Sequence, residues 1–184
     1  MKVYIGPYPK NLSKERTVNV RIDKYDTWNL DTTLAVIILP LLKQLRDTKH
    51  GAPNTDNDDV PKRLRTKSKK KHITDKNFFK RWDWILGEMI WSFEQLTIDW
   101  ADQYYSGKSD IWVQPLDKKR NQIGKPRKLG SKKDKETEDD AAWYELKKGP
   151  KDTFKLDVKG YQKHIKRMKN GFRLFGKYYM DFWD

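Results

Sequence analysis

A chain of 184 residues is long enough for one domain with a hydrophobic core and little more. Apolar residues make up 36% of it and charged residues another 36%, so much of the chain must face water, yet 8 Trp, 9 Tyr and 7 Phe bury enough area each to exclude a disordered chain. The net charge of +14 lies wholly in two segments, residues 61–72 and 117–135, and the remainder is neutral by count.

Residues 2–5 and 17–22 alternate as short strands do, and Val18, Val20 and Ile22 share a face. Asp26 or Thr27 can cap a helix over residues 30–45. Its apolar residues run most of the way round, so it is expected to be the buried helix, kinked or split by Pro40. Residues 49–73 read as a loop, from HGAPN and TDNDD through two prolines into the first basic run.

Asp75 is the expected N-cap of a helix reaching about Tyr105. Its central stretch, FFKRWDWILGEMIWSFEQL, has two faces. Phe78, Phe79, Trp82, Ile85, Leu86, Met89, Ile90, Phe93 and Leu96 form one stripe at about 100° per residue, the ordinary core face. Trp84 and Trp91 lie roughly opposite, one above the other, with Gly87, Glu88 and Gln95 between and beside them. Such a face is covered by another helix or a small sheet, meets another subunit, or stacks on a ligand. The sequence leaves the three open.

Beyond Gly107, residues 111–116, 143–146 and 153–158 read as strands, and KKGPKD between the last two predicts a hairpin. The second basic run, followed by ETEDD, forms a loop excursion between the first two. Tyr161, Ile165, Met168, Phe172, Phe175, Tyr179 and Phe182 recur every three or four residues, which predicts a long helix able to pack along the tryptophan helix. The expected fold class is α+β and mainly helical, with three principal helices, a small antiparallel sheet and two long basic loops. It forms a single domain over 1–184, with insertions at about 49–73 and 117–140.

The basic runs are the first candidate for chemistry, because clustered Lys and Arg attract phosphate and release counterions. Their residues are Lys62, Arg63, Arg65, Lys67, Lys69, Lys70 and Lys71 in the first, and Lys118, Lys119, Arg120, Arg127 and Lys128 in the second. Neither run has interleaved aromatics, so they suit phosphate backbones better than bases. Neither holds enough apolar residues to build core, and both are expected to be dispensable for folding.

The acidic stretch 50–59 spaces oxygen ligands as Ca²⁺ requires but lacks the closing glutamate. It reads instead as an Asx-rich turn pairing with the basic run beside it. Glu145 and Lys147 on a strand, with Asp110 upstream, form the acid-x-lysine pattern of some Mg²⁺-dependent nucleases. The same tripeptide pattern recurs at Asp47 and Asp117, where nothing else suggests a site. No cysteine, glycine-rich phosphate loop, nucleophile elbow or HExxH motif is present. A binding protein without catalytic residues, metal or cofactor is favoured over an enzyme. No apolar run reaches the ~18 residues of a membrane span, and no membrane association is expected.

Three segments, RIDKYDTWNLDTTLAVIILPLLKQLRDTKHGAPN, FKRWDWILGEMIWSFEQL and NGFRLFGKYYMDFWD, resemble a family of small basic proteins encoded by large tailed bacteriophages. The resemblance implies a viral protein made in a host bacterial cytoplasm and carries no activity with it. The expectation that follows is an accessory protein binding an anionic partner, with nucleotide or nucleic acid ahead of a host protein, and a possible counter-defence role. Self-association is expected from the number of aromatic faces. A virion or assembly component and a metal-dependent nuclease are the alternatives.

Overall fold

In a computed structural model, which describes residues 1–11, 13–67, 74–131 and 141–183, the elements are α-helices and short antiparallel strands. The helices among the described residues are α1 (Leu30–Thr48), α2 (Phe78–Gln95) and α3 (Val158–Lys177). The strands are β1 (Lys2–Ile5), β2 (Val18–Arg21), β3 (Tyr105–Ser106), β4 (Ile111–Leu116), β5 (Arg127–Lys128), β6 (Trp143–Lys148) and β7 (Lys155–Leu156). The fold is α+β and mainly helical. The chain divides into two units, one of Met1–Asp99 with Ile165–Asp184 and the other of Trp100–His164.

In the first unit, the expected stripe of α2 becomes the core. Trp82, Ile85, Leu86, Met89, Ile90 and Phe93 are buried there with Leu174 of α3 and Tyr178 just beyond its end, and Phe93 meets Phe172 and Phe175 edge-on at 5.2 and 5.0 Å. Asp75 precedes the helix rather than capping it. Asn77 is the N-cap; Asp75 Oδ1 accepts the Asn77 N–H, and Nη1 of the buried Arg81 donates to both Asp75 carboxylate oxygens at 3.0 and 3.1 Å. The helix stops at Gln95, ten residues before the expected end. Its last carbonyls are already satisfied there: Glu94 O accepts from both the N–H and the hydroxyl of Thr97, and Trp91 O accepts from the Gln95 amide.

Helix α1 is the principal departure from expectation. It runs through Pro40 as one helix, with Asn29 rather than Asp26 or Thr27 at its N-cap. Only Ala35 and Leu42 are buried in it, while Leu30, Leu34, Val36 and Leu41 are exposed. An apolar surface all round a helix needs partners all round, and α1 meets α2 on one side. The paired strands β1 and β2, in register Lys2↔Arg21 to Ile5↔Val18, likewise expose Val3, Ile5, Val18 and Val20.

The described part of the expected first loop is built into this unit. Val60 is buried in the core and Leu64 packs against it, and Arg81 donates to Leu64 O at 3.1 Å. The acidic stretch turns in a short 3-10 helix, Asn57–Asp59. It pairs chiefly with α3 rather than with the basic run. The Asp59 carboxylate, only 2% exposed, accepts from Arg173, Lys177 and the Tyr178 hydroxyl. Burial pushes Asp59 up, but these three bonds more than offset it, so its pKa lies below the ordinary value. Burial also pushes the Tyr178 phenol up to about 12, and hydrogen bonds to Asp56 and Asp59 hold Lys177 above the usual lysine value.

In the second unit, β4 is the centre of a three-stranded antiparallel sheet of order β5-β4-β6. The KKGPKD turn forms, with Asp152 N–H bonded to Gly149 O, but it does not close a hairpin. β6 pairs with β4 and β7 with β3. Asp110 decides this by capturing the turn. Its carbonyl accepts the Gly149 N–H at 2.7 Å, its carboxylate accepts the Lys151 N–H at 3.1 Å, and its own N–H donates to Asp152 Oδ1. The second basic run is also more ordered than a loop: a turn fastened by Asp117 to Asn121 leads into β5. Elsewhere in this unit, Trp100 stacks on His164 at 4.3 Å, and the Tyr104 hydroxyl bonds His164 Nδ1 at 3.0 Å.

Candidate functional site

Helix α2 presents Trp84, Gly87, Glu88 and Trp91 along one side, at the spacings of three and four residues that make helical neighbours. α1 brings Lys43 and Arg46 to this side and α3 brings Arg167, and with Asp83, Ile90 and Glu94 they enclose a cleft of about 570 Å³. The approach of α3 depends on Gly171. A Cβ added there would stand 2.0 Å from Ser92 Oγ and 2.5 Å from the Glu88 carbonyl oxygen.

One turn earlier on α3, Arg167 donates from Nε and Nη2 to the two oxygens of Glu88 at 3.0 and 2.8 Å. This two-point geometry fixes the plane of the guanidinium, which also lies 3.8 Å from the centre of the Trp91 ring. Glu88 is buried while Arg167 is about half exposed. At the rim, Lys43 pairs with Glu94 at 2.7 Å and Lys49 with Asp83. Each of these acids is therefore neutralised, and Arg46, held loosely by the exposed Asp47 at 3.5 Å, adds positive charge to the wall.

Trp84 is partly buried against the core, and Arg63 lies over its ring at 5.6 Å. The second face of α2 is therefore half-covered, at Trp84 by the core and Arg63 and at Trp91 by Arg167. Arginine on indole is a favourable contact worth about 0.5–1 kcal/mol at exposed sites, and it leaves a surface both flat and cationic.

The expected basic residues fall in both units. Lys62 and Arg63 lie in the 3-10 turn Lys62–Leu64, Arg65 pairs with Asp58 at 3.8 Å, and Lys67 is exposed. Lys69, Lys70 and Lys71 lie outside the described residues. In the second unit, Lys118, Lys119 and Arg120 occupy the turn after β4, and Arg127 and Lys128 form β5. Arg120, at a φ of 65°, lies over the Trp143 ring at 5.6 Å, and Lys128 Nζ stands 3.8 Å from Asp110. The expectation that the basic runs lack aromatics holds along the chain and fails in space. Each acquires one tryptophan from elsewhere.

No protein-family model, curated protein or solved structure matches this chain.

The acid-x-lysine pattern is not assembled around Asp110. The register sets Glu145 opposite Gln114, four residues along the strand from Asp110, or about 13 Å at the usual strand rise. Lys147 Nζ lies 3.5 Å from Glu145, while the Asp110 carboxylate is taken up by the Lys151 N–H and by Trp112 Nε1. Among the described residues no group of three or more His, Asp or Glu side chains could hold a metal ion. Nor is any helix among them long and apolar enough to cross a membrane.

Sequence reasoning missed Arg167, Arg46 and Lys43 as members of the cleft. Arg167 stands in a run of basic residues opposite the apolar stripe of its helix. Nothing in its spacing links it to a glutamate 79 residues away.

Proposed function

We propose that this protein is a non-catalytic binder of a nucleotide or nucleic acid, encoded by a bacteriophage and acting in the host bacterial cytoplasm, where sequestering such a ligand would counter a host defence. The observation that supports this most directly is the arginine-on-tryptophan pair in each basic segment, Arg63 with Trp84 and Arg120 with Trp143. Cationic side chains alone attract phosphate, whereas an indole beside them adds a stacking surface that accepts any base. The test is a gel shift of single-stranded DNA at two salt concentrations, beside mass spectrometry of ligand released from the purified protein by heat. Retarded mobility that falls steeply with salt identifies a polymer; a released nucleotide identifies a small ligand. Unchanged mobility from a ligand-free protein overturns the proposal.

A second copy of the chain is part of the same proposal. The exposed apolar residues of α1 adjoin a groove of about 460 Å³ lined by Leu41, Leu45, Phe175, Tyr179 and Phe182.

A further inference from the structure

The loop between β4 and β5 opens on a three-residue hairpin turn whose last position holds a residue that folding alone does not select. Arg120 N–H bonds Asp117 O at 3.0 Å and Asp117 N–H bonds Asn121 O at 2.9 Å, while the Asp117 carboxylate accepts from Lys119 N–H, Asn121 N–H and Asn121 Nδ2 and so clamps the turn. A turn of this form puts its third residue in the left-handed region, where glycine is favoured. That residue is Arg120, at a φ of 65° the one non-glycine residue with positive φ among the described residues.

The Arg120 guanidinium lies over the Trp143 ring at 5.6 Å, and packing does not account for that ring either. Trp143 stands opposite Leu116, on the same face of the sheet as Trp112. Trp112 is used by the fold: its Nε1 donates to Asp110 at 3.2 Å, and Gly149 abuts its edge where a Cβ would collide. Trp143 is 54% exposed, and with Arg120 on one face it needs only the other to stack. The charges beside it are unspent. The ion pairs on the sheet go to Lys128, Lys147 and Lys148, whereas Lys118, Lys119 and Lys125 are exposed and form none among the described residues.

We propose that this hairpin and Trp143 bind single-stranded nucleic acid, with an unpaired base stacked on the indole and successive phosphates along the lysines. The proposal rests on the binding function given above and names the form of its ligand. From the row of Leu116 and Gln122 to that of Trp112 and Lys128 the strand advances four residues, about 13 Å, so the basic side chains spread further than one phosphate reaches. A duplex keeps its bases stacked on each other and offers none to the indole. No edge-reading group adjoins the ring, so the site tolerates any base.

Fluorescence anisotropy of labelled oligo(dT), oligo(U) and a DNA duplex of equal length, titrated with the full chain, tests this. Both single strands are expected to bind at least tenfold tighter than the duplex, and the tighter of the two names the sugar. Their log K should fall against log salt with a slope of about −2 or steeper, the value for three phosphates neutralised on a single strand. Trp143→Ala, at an exposed position, is expected to weaken the single strands at least tenfold with the melting temperature kept. Arg120→Gly should weaken them at least threefold while the melting temperature holds or rises, a pair of signs that a structural role for Arg120 would reverse. Lys118→Gln combined with Lys119→Gln should flatten the salt slope by about 1.4. Duplex binding equal to single-strand binding, or wild-type affinity in Trp143→Ala or Arg120→Gly, overturns the proposal. If oligonucleotides still bind Trp143→Ala as they bind the wild type, or heat releases a nucleotide from a chain that binds no oligonucleotide, this site fails and the broader function stands; if neither ligand is found, both fail.

Discussion

The guanidinium of Arg167 lies 3.8 Å from the centre of the Trp91 ring, held there by two hydrogen bonds to the buried carboxylate of Glu88. One side chain from α3 thus fixes two groups of α2. Arg167→Ala leaves Glu88 buried without its cation and is expected to cost about 2 kcal/mol, the range for a lost hydrogen bond to a charged group with one partner still half in solvent. Arg167→Lys should recover less than half of that, because an ammonium offers neither the two-point geometry nor the flat face. Urea unfolding measures both, and a midpoint unchanged in Arg167→Ala would refute the coupling.

Replacing Trp84 or Trp91 by alanine distinguishes a half-covered face from core. A fully buried aromatic costs about 3–5 kcal/mol to delete. Both indoles are of intermediate exposure, so about 1–2 kcal/mol is expected for each, with cooperative unfolding retained and ligand binding lost. Losses at the full core value in both variants would mean that the face is interior packing alone.

Periodicity made α2 and α3 legible, since burial on one face leaves a repeat that requires no knowledge of the partner. It misled for α1, whose apolar residues go round the helix. Their number shows what could be buried, and only the tertiary arrangement shows that Leu34, Val36 and Leu41 are not. The KKGPKD signal was sound as a turn and wrong as a hairpin, because Asp110, 39 residues before Gly149, captures its backbone. In the cleft, Trp84 and Trp91 could be singled out by spacing, whereas Arg167 reaches Glu88 only through the close packing at Gly171.

Two helical glycines should respond to alanine with opposite signs. At Gly87 the added methyl meets nothing within 4 Å, so Gly87→Ala is expected to stabilise by about 1 kcal/mol through helix propensity. At Gly171 the methyl would collide with Ser92 and with α2 backbone, and Gly171→Ala should destabilise by about 1–3 kcal/mol. Thermal unfolding of the two variants in parallel reads both signs. Stabilisation by Gly171→Ala would show that α3 does not approach α2 so closely.

The Asp59 cluster predicts how stability depends on pH. The pKa of Asp59 is lowered in the fold, so its contribution is complete above the ordinary value of 3.8 and is lost as pH falls through the lower folded value. Tyr178 and Lys177 are raised. Their contribution is complete below pH 10 and is lost as pH rises toward about 12. Stability measured across pH should therefore fall at both extremes, and Asp59→Asn should flatten the acid limb at a cost of about 3 kcal/mol near neutrality. An acid limb unchanged in Asp59→Asn would place the titrating groups elsewhere.

Self-association can be separated from folding because the residues that would carry it are exposed in the single chain. Val36 and Leu41 are each 62% exposed and Met180 is 84% exposed, so charged substitutions there remove little core packing. Light scattering of the wild type is expected to give a mass above the 22.1 kDa of one chain. Leu41→Asp should return it to one chain with the melting temperature changed by dilution-dependent association alone. If the groove is the contact, Tyr179→Asp on its opposite wall should have the same effect, since a two-fold interface uses the same patch on both copies. A wild type that remains a single chain at high concentration, with solubility unaffected by either substitution, would show that this apolar face has no second copy to meet.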